Sequence, residues 1–344
     1  MADKIISFGI PCYNSQDYMD HCITSILEGA AYSDEIEIII VDDGSRDRTA
    51  EKADSWAEKH PDIIRAIHQE NGGHGIAVKR GMEEARGVYY KVVDSDDWLD
   101  ADALQQLLEA LRKFVSSDNP VDLVISNYVY EHVEDDKQNV VDYAHALPQN
   151  QIMGWDDIGR FNITQYLLMH SLCYRTQVLR DGGLPMPAHT FYVDNIYAYV
   201  PLPRCKTLYY LNVDLYRYFI GRDDQSVNED VLVSRCDHYW RVCKLMVHSY
   251  HLYDDIQSPK LRGYMLSYLT IIFGITSIIS RMSDRADAME QLDAVWDDLK
   301  DFDCHMYRHC RKGVVGVFAN LPGRAGKKTT LGIYKLAQKF MKFN

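Results

Sequence analysis

The segment 93–97 (VDSDD) has the composition of a metal site. It places three carboxylates within four residues, directly after an apolar run. Carboxylates held this close repel one another, and a hard divalent cation such as Mg²⁺ or Mn²⁺ relieves the repulsion while it bridges to substrate phosphates. One of the three could instead cap the helix that begins near Ala101, with Asp97 best placed to do so. Capping leaves Asp94 and Asp96 unexplained, so the pattern favours a metal site.

Two other segments carry residue types suited to a polar ligand. The segment 41–45 (VDDGS) puts two adjacent carboxylates, Asp42 and Asp43, directly after another apolar run. An Asp-Gly turn with a helix cap at Ser45 or Asp47 is the alternative interpretation. The segment 71–75 (NGGHG) clusters glycines before a helical stretch, where the backbone can come close to a phosphate. Glycine clusters of this kind occur in many loops, so this one is not specific by itself.

The elements that must position these segments alternate between strand and helix. The predicted strands are Ile5–Ile10, Glu35–Val41, Ile63–His68, Tyr89–Val93 and Val121–Ser126. The predicted helices are Ser15–Glu28, Thr49–His60, Ile76–Ala85 and Ala101–Phe114. This alternation is typical of βαβ units and predicts a mostly parallel sheet, with a hairpin over 127–150 at its edge. Ligands bind such sheets at the carboxyl ends of the strands.

Composition places the chain among ordinary soluble globular proteins. Its 344 residues are 47% hydrophobic and 25% charged, and the net charge of −13 argues against nucleic-acid binding, which needs a basic surface. Eight cysteines without a CxxC pair, and an N-terminus without the shape of a signal peptide, predict a cytoplasmic protein. The Cys304-His305 and His309-Cys310 pairs fit no common zinc spacing. The apolar stretch Leu266–Ile279 is shorter than the roughly 20 residues of a membrane span, which predicts a buried or interfacial helix.

The C-terminal segment 304–344 differs from the rest of the chain in charge. It contains no Asp or Glu, and its nine cationic residues are Arg308, Arg311, Lys312, Arg324, Lys327, Lys328, Lys335, Lys339 and Lys342. Within it, Gly332–Phe343 places apolar side chains on one face at helical spacing, with lysines on the flanks. A basic amphipathic helix of this kind binds anionic membrane surfaces, at about 1 kcal/mol per Lys or Arg near the surface. The alternative is a helix that lays its apolar face on the acidic body.

Four segments in order resemble the family-two inverting glycosyltransferases of GT-A fold. They are 11–14 (PCYN), 38–49 (IIIVDDGSRDRT), 71–87 (NGGHGIAVKRGMEEARG) and 92–104 (VVDSDDWLDADAL). The likeness extends in register from Ile5 to Leu111 and is thinner beyond Asn127. It implies an α/β fold of GT-A type, Rossmann-like, with a mostly parallel central sheet flanked by helices and a helical C-terminal region. The implied segments are 1–127 for the nucleotide sugar, 128–228 for the acceptor and catalytic base, 229–303 for the helical region and 304–344 for the basic tail.

The resemblance implies a nucleotide-sugar site in the first half of the chain. The residues it assigns there are Pro11, Tyr13, Asn14, Asp42, Asp43, Gly73, Lys79, Asp94, Ser95 and Asp96. Asp42 would hold the base, usually uracil. Asp94 and Asp96 match the DxD element, which places the ribose and binds a divalent cation, Mn²⁺ or Mg²⁺, on the diphosphate. The form NGGHG…K is similar to that of polyprenol-phosphate sugar transferases, and it leaves open whether Lys79 or Arg80 faces the diphosphate.

The same resemblance implies a catalytic base in the second half. The family places a Glu-Asp or Asp-Asp pair at a helix start, and the best match is 191–197 (FYVDNIY), with Asp194 at the Asp position. Val193 and Asn195 lack the usual neighbouring carboxylate. A role for Asp194 as a simple helix N-cap is the alternative. Downstream, 216–218 (YRY) and 222–226 (RDDQS) resemble the family's closing loop near the diphosphate.

The implied activity is transfer of a sugar from a UDP-sugar to a hydroxyl of a glycan or lipid-linked acceptor. The acceptor hydroxyl would attack the anomeric carbon opposite the leaving diphosphate, and Asp194 would take its proton. Such proteins act in polysaccharide assembly, which predicts a cytoplasmic protein on the inner face of the plasma membrane; the Tyr-rich helical region is compatible with a homodimer. A non-catalytic nucleotide-sugar-binding or scaffold protein is the alternative. A dehalogenase-like hydrolase built on DSDD fits less well, because that fold carries its DxD after the first strand.

Overall fold

The chain folds into two compact units. The computed structural model describes residues 4–117, 120–133, 137–163, 165–221, 229–323, 326, 329–330 and 332. One unit comprises 1–161 and 167–222, and the other comprises 162–166 and 223–344. The first is an α/β unit and the second is helical.

The α/β unit alternates strand and helix through its first half and then becomes mixed. Its strands are β1 Ile6–Cys12, β2 Ile36–Asp42, β3 Ile64–His68, β4 Tyr89–Val92, β5 Trp98–Leu99, β6 Leu123–His132, β7 Lys137–Val141, β8 Ile152–Met153, β9 Leu172–Arg175 and β10 Leu208–Ile220. Its helices are α1 Met19–Gly29, α2 Thr49–Lys59, α3 His74–Glu84, α4 Ala101–Val115, α5 Thr176–Gly182 and α6 Asp194–Tyr199, with 3-10 turns at Trp155–Asp157, Met169–Ser171 and Leu202–Arg204.

The first four strands form the parallel part of the sheet. β3, β2, β1 and β4 lie side by side, all parallel, and every residue of β1 and β2 is buried. Helices on both faces of a parallel sheet explain why these strands are continuously apolar rather than alternating. Cys12 of β1 is paired with Asp42 of β2, and Asp42 with His68 of β3, so the strands end at one edge.

The rest of the sheet mixes strand directions. The order continues β4-β9-β6-β10-β5, with β9 antiparallel to both neighbours and β6 parallel to β10. β7 pairs antiparallel with β6, so the predicted edge hairpin is present, although residues 134–136 between its strands lie outside the described part of the chain. The mostly parallel arrangement therefore holds for the N-terminal part and gives way to a mixed sheet beyond β4.

One alternative interpretation and one local prediction are wrong. The N-cap of α4 is Asp100, whose Oδ1 accepts a hydrogen bond from the Ala103 amide, and not Asp97. The segment Tyr216–Tyr218 lies in β10 rather than in a loop, as its aromatic-rich, strand-forming composition favours. The companion segment 222–226 is outside the described residues.

The helical unit is built around one long buried helix. Its helices are α7 Glu229–Ser234, α8 Cys236–Val247, α9 Leu252–Asp255, α10 Pro259–Met282, α11 Ala288–Phe302, α12 Cys304–Lys312 and α13 Val314–Ala319. α10 starts with Ser258 as N-cap, accepting from the Leu261 amide, and with Pro at its first position. By length and composition α10 could cross a membrane, but 78% of its most apolar stretch is buried inside the protein, as in a core helix. The predicted amphipathic helix of the tail lies outside the described residues, apart from Gly332.

Candidate functional site

The edge where β2 and β3 end carries a buried carboxylate held by a histidine. Asp42 is 4% exposed, accepts a hydrogen bond from the Ser45 amide at 3.0 Å, and lies 3.0 Å from His68 Nδ1. The other ring nitrogen of His68 is 3.0 Å from Asp54. These two carboxylates raise the pKa of His68. Asp42 is thus held at the end of β2, and its contact with a nucleoside stays a prediction.

The neighbouring carboxylate, Asp43, holds the glycine-rich loop in place. It accepts hydrogen bonds from the Gln69 side chain at 2.7 Å and from the amides of Gly72 and Gly73 at 2.8 and 2.7 Å. Its backbone carbonyl accepts a further bond from the Asn71 side chain. The described contacts of Asp43 are those of a loop-organising residue, and a direct contact with a nucleotide stays a prediction.

Substitution of Asp43 by asparagine should destabilise the α/β unit by about 1–3 kcal/mol, because one amide donor of the loop would then face an NH₂ group instead of an oxygen. Urea unfolding followed by tryptophan fluorescence measures the effect. Asp62, which is exposed, gives the matched control Asp62→Asn, for which no change is expected. Equal stability of the two variants would show that the loop does not depend on the carboxylate.

The end of β1 supplies the next predicted group. Pro11 is buried in the strand, whereas Tyr13 is 47% exposed beyond it. Asn14 adopts a left-handed backbone (φ 51°) and bridges to the loop after β2, because its amide donates to Ser45 Oγ and its side chain accepts from the Arg46 amide. Ser95 Oγ lies 2.7 Å from Ser15 Oγ and so ties the DxD loop to the end of β1.

Asp94 lies between two histidines. Its Oδ1 is 2.8 Å from His74 Nε2 at the start of α3, and its Oδ2 is 3.5 Å from His170 Nε2. Burial alone would raise the pKa of Asp94, but the two imidazoles outweigh it and hold that pKa well below its usual range. Burial likewise disfavours charge on His74, yet the surrounding carboxylates, led by Asp94, raise its pKa. The first DxD carboxylate is therefore ionised and oriented.

Asp97 is buried behind the DxD loop and supports it. Its carboxylate accepts hydrogen bonds from the Tyr216 hydroxyl at 2.5 Å and from the Phe219 amide at 2.9 Å. The Tyr216 oxygen in turn accepts from the Asp94 amide at 3.1 Å. Burial, followed by the charges of Asp96 and Asp94, raises the pKa of Asp97 well above its usual range. Asp96 is half-buried between these two carboxylates.

One group in the described part of the chain has side chains that could hold a metal ion together. The ligand atoms of Asp94, Asp97 and His170 all lie within 4.8 Å of one another. The group contains Asp94, one of the two predicted ligands, and it adds a histidine from the second half of the unit. Asp96, the other predicted ligand, lies in the same loop.

Asp194 approaches this group from α6. It is the first residue of the helix, whose N-cap is Val193, so the alternative that Asp194 is the N-cap residue is wrong. Burial and the charge of Asp94 raise its pKa above the usual value, against the opposing effect of His170 and His74.

Two glycines allow the segment before α6 to lie against the loop before α3. A Cβ on Gly73 (φ 87°) would come within 3.0 Å of the His189 backbone, and one on Gly75 within 2.9 Å of a Val193 methyl group. The His189 amide also donates to the Gly72 carbonyl at 2.7 Å. Gly73 therefore has a structural reason to be glycine, and its predicted contact with the nucleotide sugar stays a prediction.

Lys79 and Arg80, the two side chains predicted to be able to face the diphosphate, form ion pairs with glutamates on the surface of α3. Lys79 Nζ is 3.8 Å from Glu83, and Arg80 forms an ion pair with Glu84 at 2.9 Å, both along α3. Arg217, on β10, pairs with Asp100 at 2.8 Å and with Glu131 at 3.0 Å. In this structure these side chains are held by carboxylates, and contacts of Lys79 or Arg80 with a diphosphate stay predictions.

A profile of the family described as Glycosyl transferase family 2 matches residues 7–169, a range that covers all the strand-end clusters. Residues 7–169 are therefore similar to a family-two glycosyltransferase domain. It is 30% identical over 217 residues to glycosyltransferase EpsH of Bacillus subtilis, an alignment that covers 59% of this chain and 60% of EpsH. It is 36% identical over 134 residues to glycosyltransferase GlyG of Streptococcus pneumoniae, covering 39% of this chain and 42% of GlyG. The chain thus spans less than two thirds of the length of these relatives.

Solved structures confirm the predicted GT-A fold and the helical C-terminal region. TarS 1–349 of S. aureus superposes with a TM-score of 0.66 at 15% identity, over 97% of this chain and 92% of TarS. The complex of the same TarS chain with UDP-GlcNAc gives 0.65 at 13% identity, over 96% and 92%. The mannosyltransferase PcManGT of Pyrobaculum calidifontis, in complex with GDP-Man and Mn²⁺, gives 0.54 at 14% identity, over 98% and 88%.

Sequence reasoning missed three residues that shape the site. His74 lies within the NGGHG motif, which was interpreted through its glycines alone. Lys91 is a charged residue inside the buried strand β4. A buried lysine needs a polar partner, so its position in an apolar run is a signal in the sequence. For His170 no local pattern indicates a site, since only the order of the strands brings it to Asp94. Tyr216 was predicted near the diphosphate through the segment 216–218, but it lies in a strand and not in a loop.

Proposed function

We propose that this chain is an inverting glycosyltransferase that transfers a sugar from a nucleotide-diphosphate sugar to an acceptor hydroxyl. The observation that carries the proposal is the convergence of Asp94, in the DxD loop, with Asp194 in one group of interacting side chains that also contains His74 and His170. The match of residues 7–169 to the family-two model supports the same reaction class.

The donor is best interpreted as a UDP-sugar. Asp42 is buried at the end of β2, with Pro11 and the exposed Tyr13 at the end of β1 beside it. TarS, of the same fold, binds UDP-GlcNAc, which supports uridine as the base. PcManGT binds GDP-Man, so a guanosine donor is the first alternative.

In the proposed reaction the acceptor oxygen attacks the anomeric carbon and the nucleoside diphosphate leaves from the opposite face. Asp194 accepts the hydroxyl proton as the new bond forms. A divalent cation, Mn²⁺ or Mg²⁺, held by Asp94 and Asp96 would stabilise the charge on the leaving diphosphate. Asp42 and the loop fixed by Asp43 would hold the nucleoside, while His74 keeps Asp94 oriented.

The test is a transfer assay with the full chain and a panel of UDP- and GDP-sugars. Glycan and lipid-linked acceptors are added with Mn²⁺, and both nucleotide release and the anomeric configuration of the product are measured. Acceptor-dependent release with inversion supports the proposal. Tight nucleotide binding without release on any acceptor would favour the non-catalytic or scaffold alternative.

The raised pKa of Asp194 predicts where activity is lost in acid. A base works only when deprotonated, so kcat/KM should fall about tenfold per pH unit below the pKa of the base. Because burial raises the pKa of Asp194, this fall should begin at higher pH than for an exposed aspartate, whose pKa is about 3.9. A pH profile of kcat/KM, with UDP affinity measured over the same range, checks it. If kcat/KM falls in acid only as far as the affinity for UDP falls, the loss of activity would be assigned to donor binding and not to protonation of Asp194.

We also propose that the C-terminal part of the helical unit contacts an anionic membrane. Arg308 and Lys312 are exposed on α12, and Val317 and Phe318 on α13 leave apolar surface beside them. Cationic and apolar groups together suit an anionic lipid surface. This would place the protein on the inner face of the plasma membrane, in polysaccharide assembly; a homodimer through the helical unit stays a prediction.

Sedimentation with phosphatidylglycerol vesicles, compared with phosphatidylcholine vesicles, tests membrane contact. The double variant Val317→Asp/Phe318→Asp should lose most of the bound fraction, whereas Met289→Asp, at another exposed apolar position of the unit, should not. Equal binding to both vesicle types would contradict the electrostatic part of the proposal.

A further inference from the structure

His170 is a buried histidine whose ring nitrogens make no hydrogen bond to the described residues, although Nε2 lies at ion-pair distance from Asp94. The residue is 5% exposed, and neither ring nitrogen has a hydrogen-bond partner within the described part of the chain. An unpaired polar group in the interior costs free energy, so a side chain left in this state needs an explanation. One explanation is a ligand that the ring is built to meet.

The surroundings of His170 fix the direction of its ring. The rings of Tyr216 and Tyr218 lie edge-on to it, each with a centroid distance of 4.7 Å, and Tyr128 is 6.0 Å away. The buried Lys91 donates a hydrogen bond to the His170 carbonyl at 2.6 Å and fixes the backbone as well. Because both the ring and its backbone are held, binding of a ligand costs His170 little side-chain entropy.

The fixed ring points at the DxD loop. His170 Nε2 lies 3.5 Å from Asp94 Oδ2, and the other Asp94 oxygen is held by His74. Two ligand atoms at about 2.1 Å from one metal are about 3.0 Å apart at neighbouring octahedral positions and about 3.4 Å apart in a tetrahedron. The observed separation therefore fits two ligands of one ion after a small adjustment.

We propose that His170 Nε2 binds the divalent cation of the donor site together with Asp94, giving a mixed nitrogen and oxygen site. The inference rests on the proposed function, since it concerns the cation that accompanies the nucleotide diphosphate. Imidazole is a ligand of transition metals, whereas Mg²⁺ takes oxygen. The histidine thus makes the site favour Mn²⁺ and the later divalent first-row transition metals over Mg²⁺.

The test uses the full chain with UDP and Mn²⁺. Pulsed electron paramagnetic resonance of bound Mn²⁺ should show ¹⁴N coupling from an imidazole in the wild type, and His170→Phe, which keeps a ring among the tyrosines, should abolish it. The same variant should weaken Mn²⁺ binding about tenfold or more, with a much smaller effect on Mg²⁺. His248→Phe, which alters an exposed histidine 3.0 Å from Asp298, is the control and should change neither.

The outcomes separate this inference from the proposed function. Bound Mn²⁺ without nitrogen coupling in the wild type overturns the inference, and so does coupling that disappears in His74→Phe but persists in His170→Phe. Binding of UDP with no bound Mn²⁺ overturns it as well, while leaving the proposed donor site standing. Failure of the wild type to bind any nucleotide would instead overturn the proposed function. If His170→Phe does not fold, His74→Phe decides: coupling that persists in it assigns the nitrogen to His170, and coupling that disappears assigns it to His74.

Discussion

Replacement of Asp194 by asparagine should lower turnover by about 10²- to 10⁴-fold, the usual contribution of a general base. The substitution keeps the size of the side chain and removes its ability to take a proton. Affinity for UDP should stay within about threefold of the wild type, because Asp194 lies at the start of α6 and not among the strand-end residues proposed for the nucleotide. Steady-state transfer rates and calorimetric titration with UDP measure the two quantities on the same preparation.

Asp181→Asn is the matched control for this experiment. Asp181 lies in the last turn of the short helix α5 and is exposed. Among the contacts described its carboxylate accepts only a surface bond from Gln177, so neither turnover nor binding should change. Turnover that survives in Asp194→Asn would remove Asp194 as the base. Loss of UDP binding together with turnover would point to a collapsed site, which a thermal unfolding scan would reveal.

Asp96→Ala should abolish the metal-dependent part of UDP binding. Divalent ions bridge protein carboxylates to phosphate oxygens. Loss of a metal ligand should therefore lower the affinity for UDP by about tenfold to a hundredfold when Mn²⁺ is present, and should change it little when Mn²⁺ is absent. The residue lies between Asp94, which two histidines orient, and Asp97, which two hydrogen bonds from β10 occupy. Calorimetric titration with UDP, with and without Mn²⁺, gives the difference directly.

The control for this variant is Asp102→Ala, an exposed acid in the first turn of α4. It removes the same charge a short distance along the chain and should leave metal-dependent binding intact. If Asp96→Ala binds UDP and Mn²⁺ like the wild type, Asp96 is not a ligand, and the ion would be assigned to the group that contains Asp94 and Asp97.

The sequence allowed the donor half of the fold to be predicted closely. Continuous apolar runs can be buried strands of a parallel sheet, and polar residues at their ends mark its ligand edge. β2 was predicted as Glu35–Val41 and is Ile36–Asp42, and α2 differs from its prediction by one residue. The pairing of Cys12 with Asp42 confirms that these strand ends meet.

The remainder of the site depends on contacts that no local pattern shows. Asp97 looked like a helix cap because it precedes α4, yet its carboxylate bonds to Tyr216 and Phe219, more than a hundred residues away. His170 reaches Asp94 only because β9 is inserted antiparallel between β4 and β6. Neither arrangement follows from hydrophobic periodicity, since strand order is a property of the whole sheet.

The close fit of Gly73 and Gly75 against His189 and Val193 has a kinetic consequence. With a bond from His189 to Gly72 as well, the loop on the donor side cannot shift without moving the segment that carries Asp194. Binding of a nucleotide that orders this loop therefore also orders the segment that carries Asp194. By the same coupling, ordering of that segment strengthens the binding of the nucleotide. We therefore expect an ordered sequence of binding, in which the nucleotide sugar enters first and the acceptor meets a base already in place.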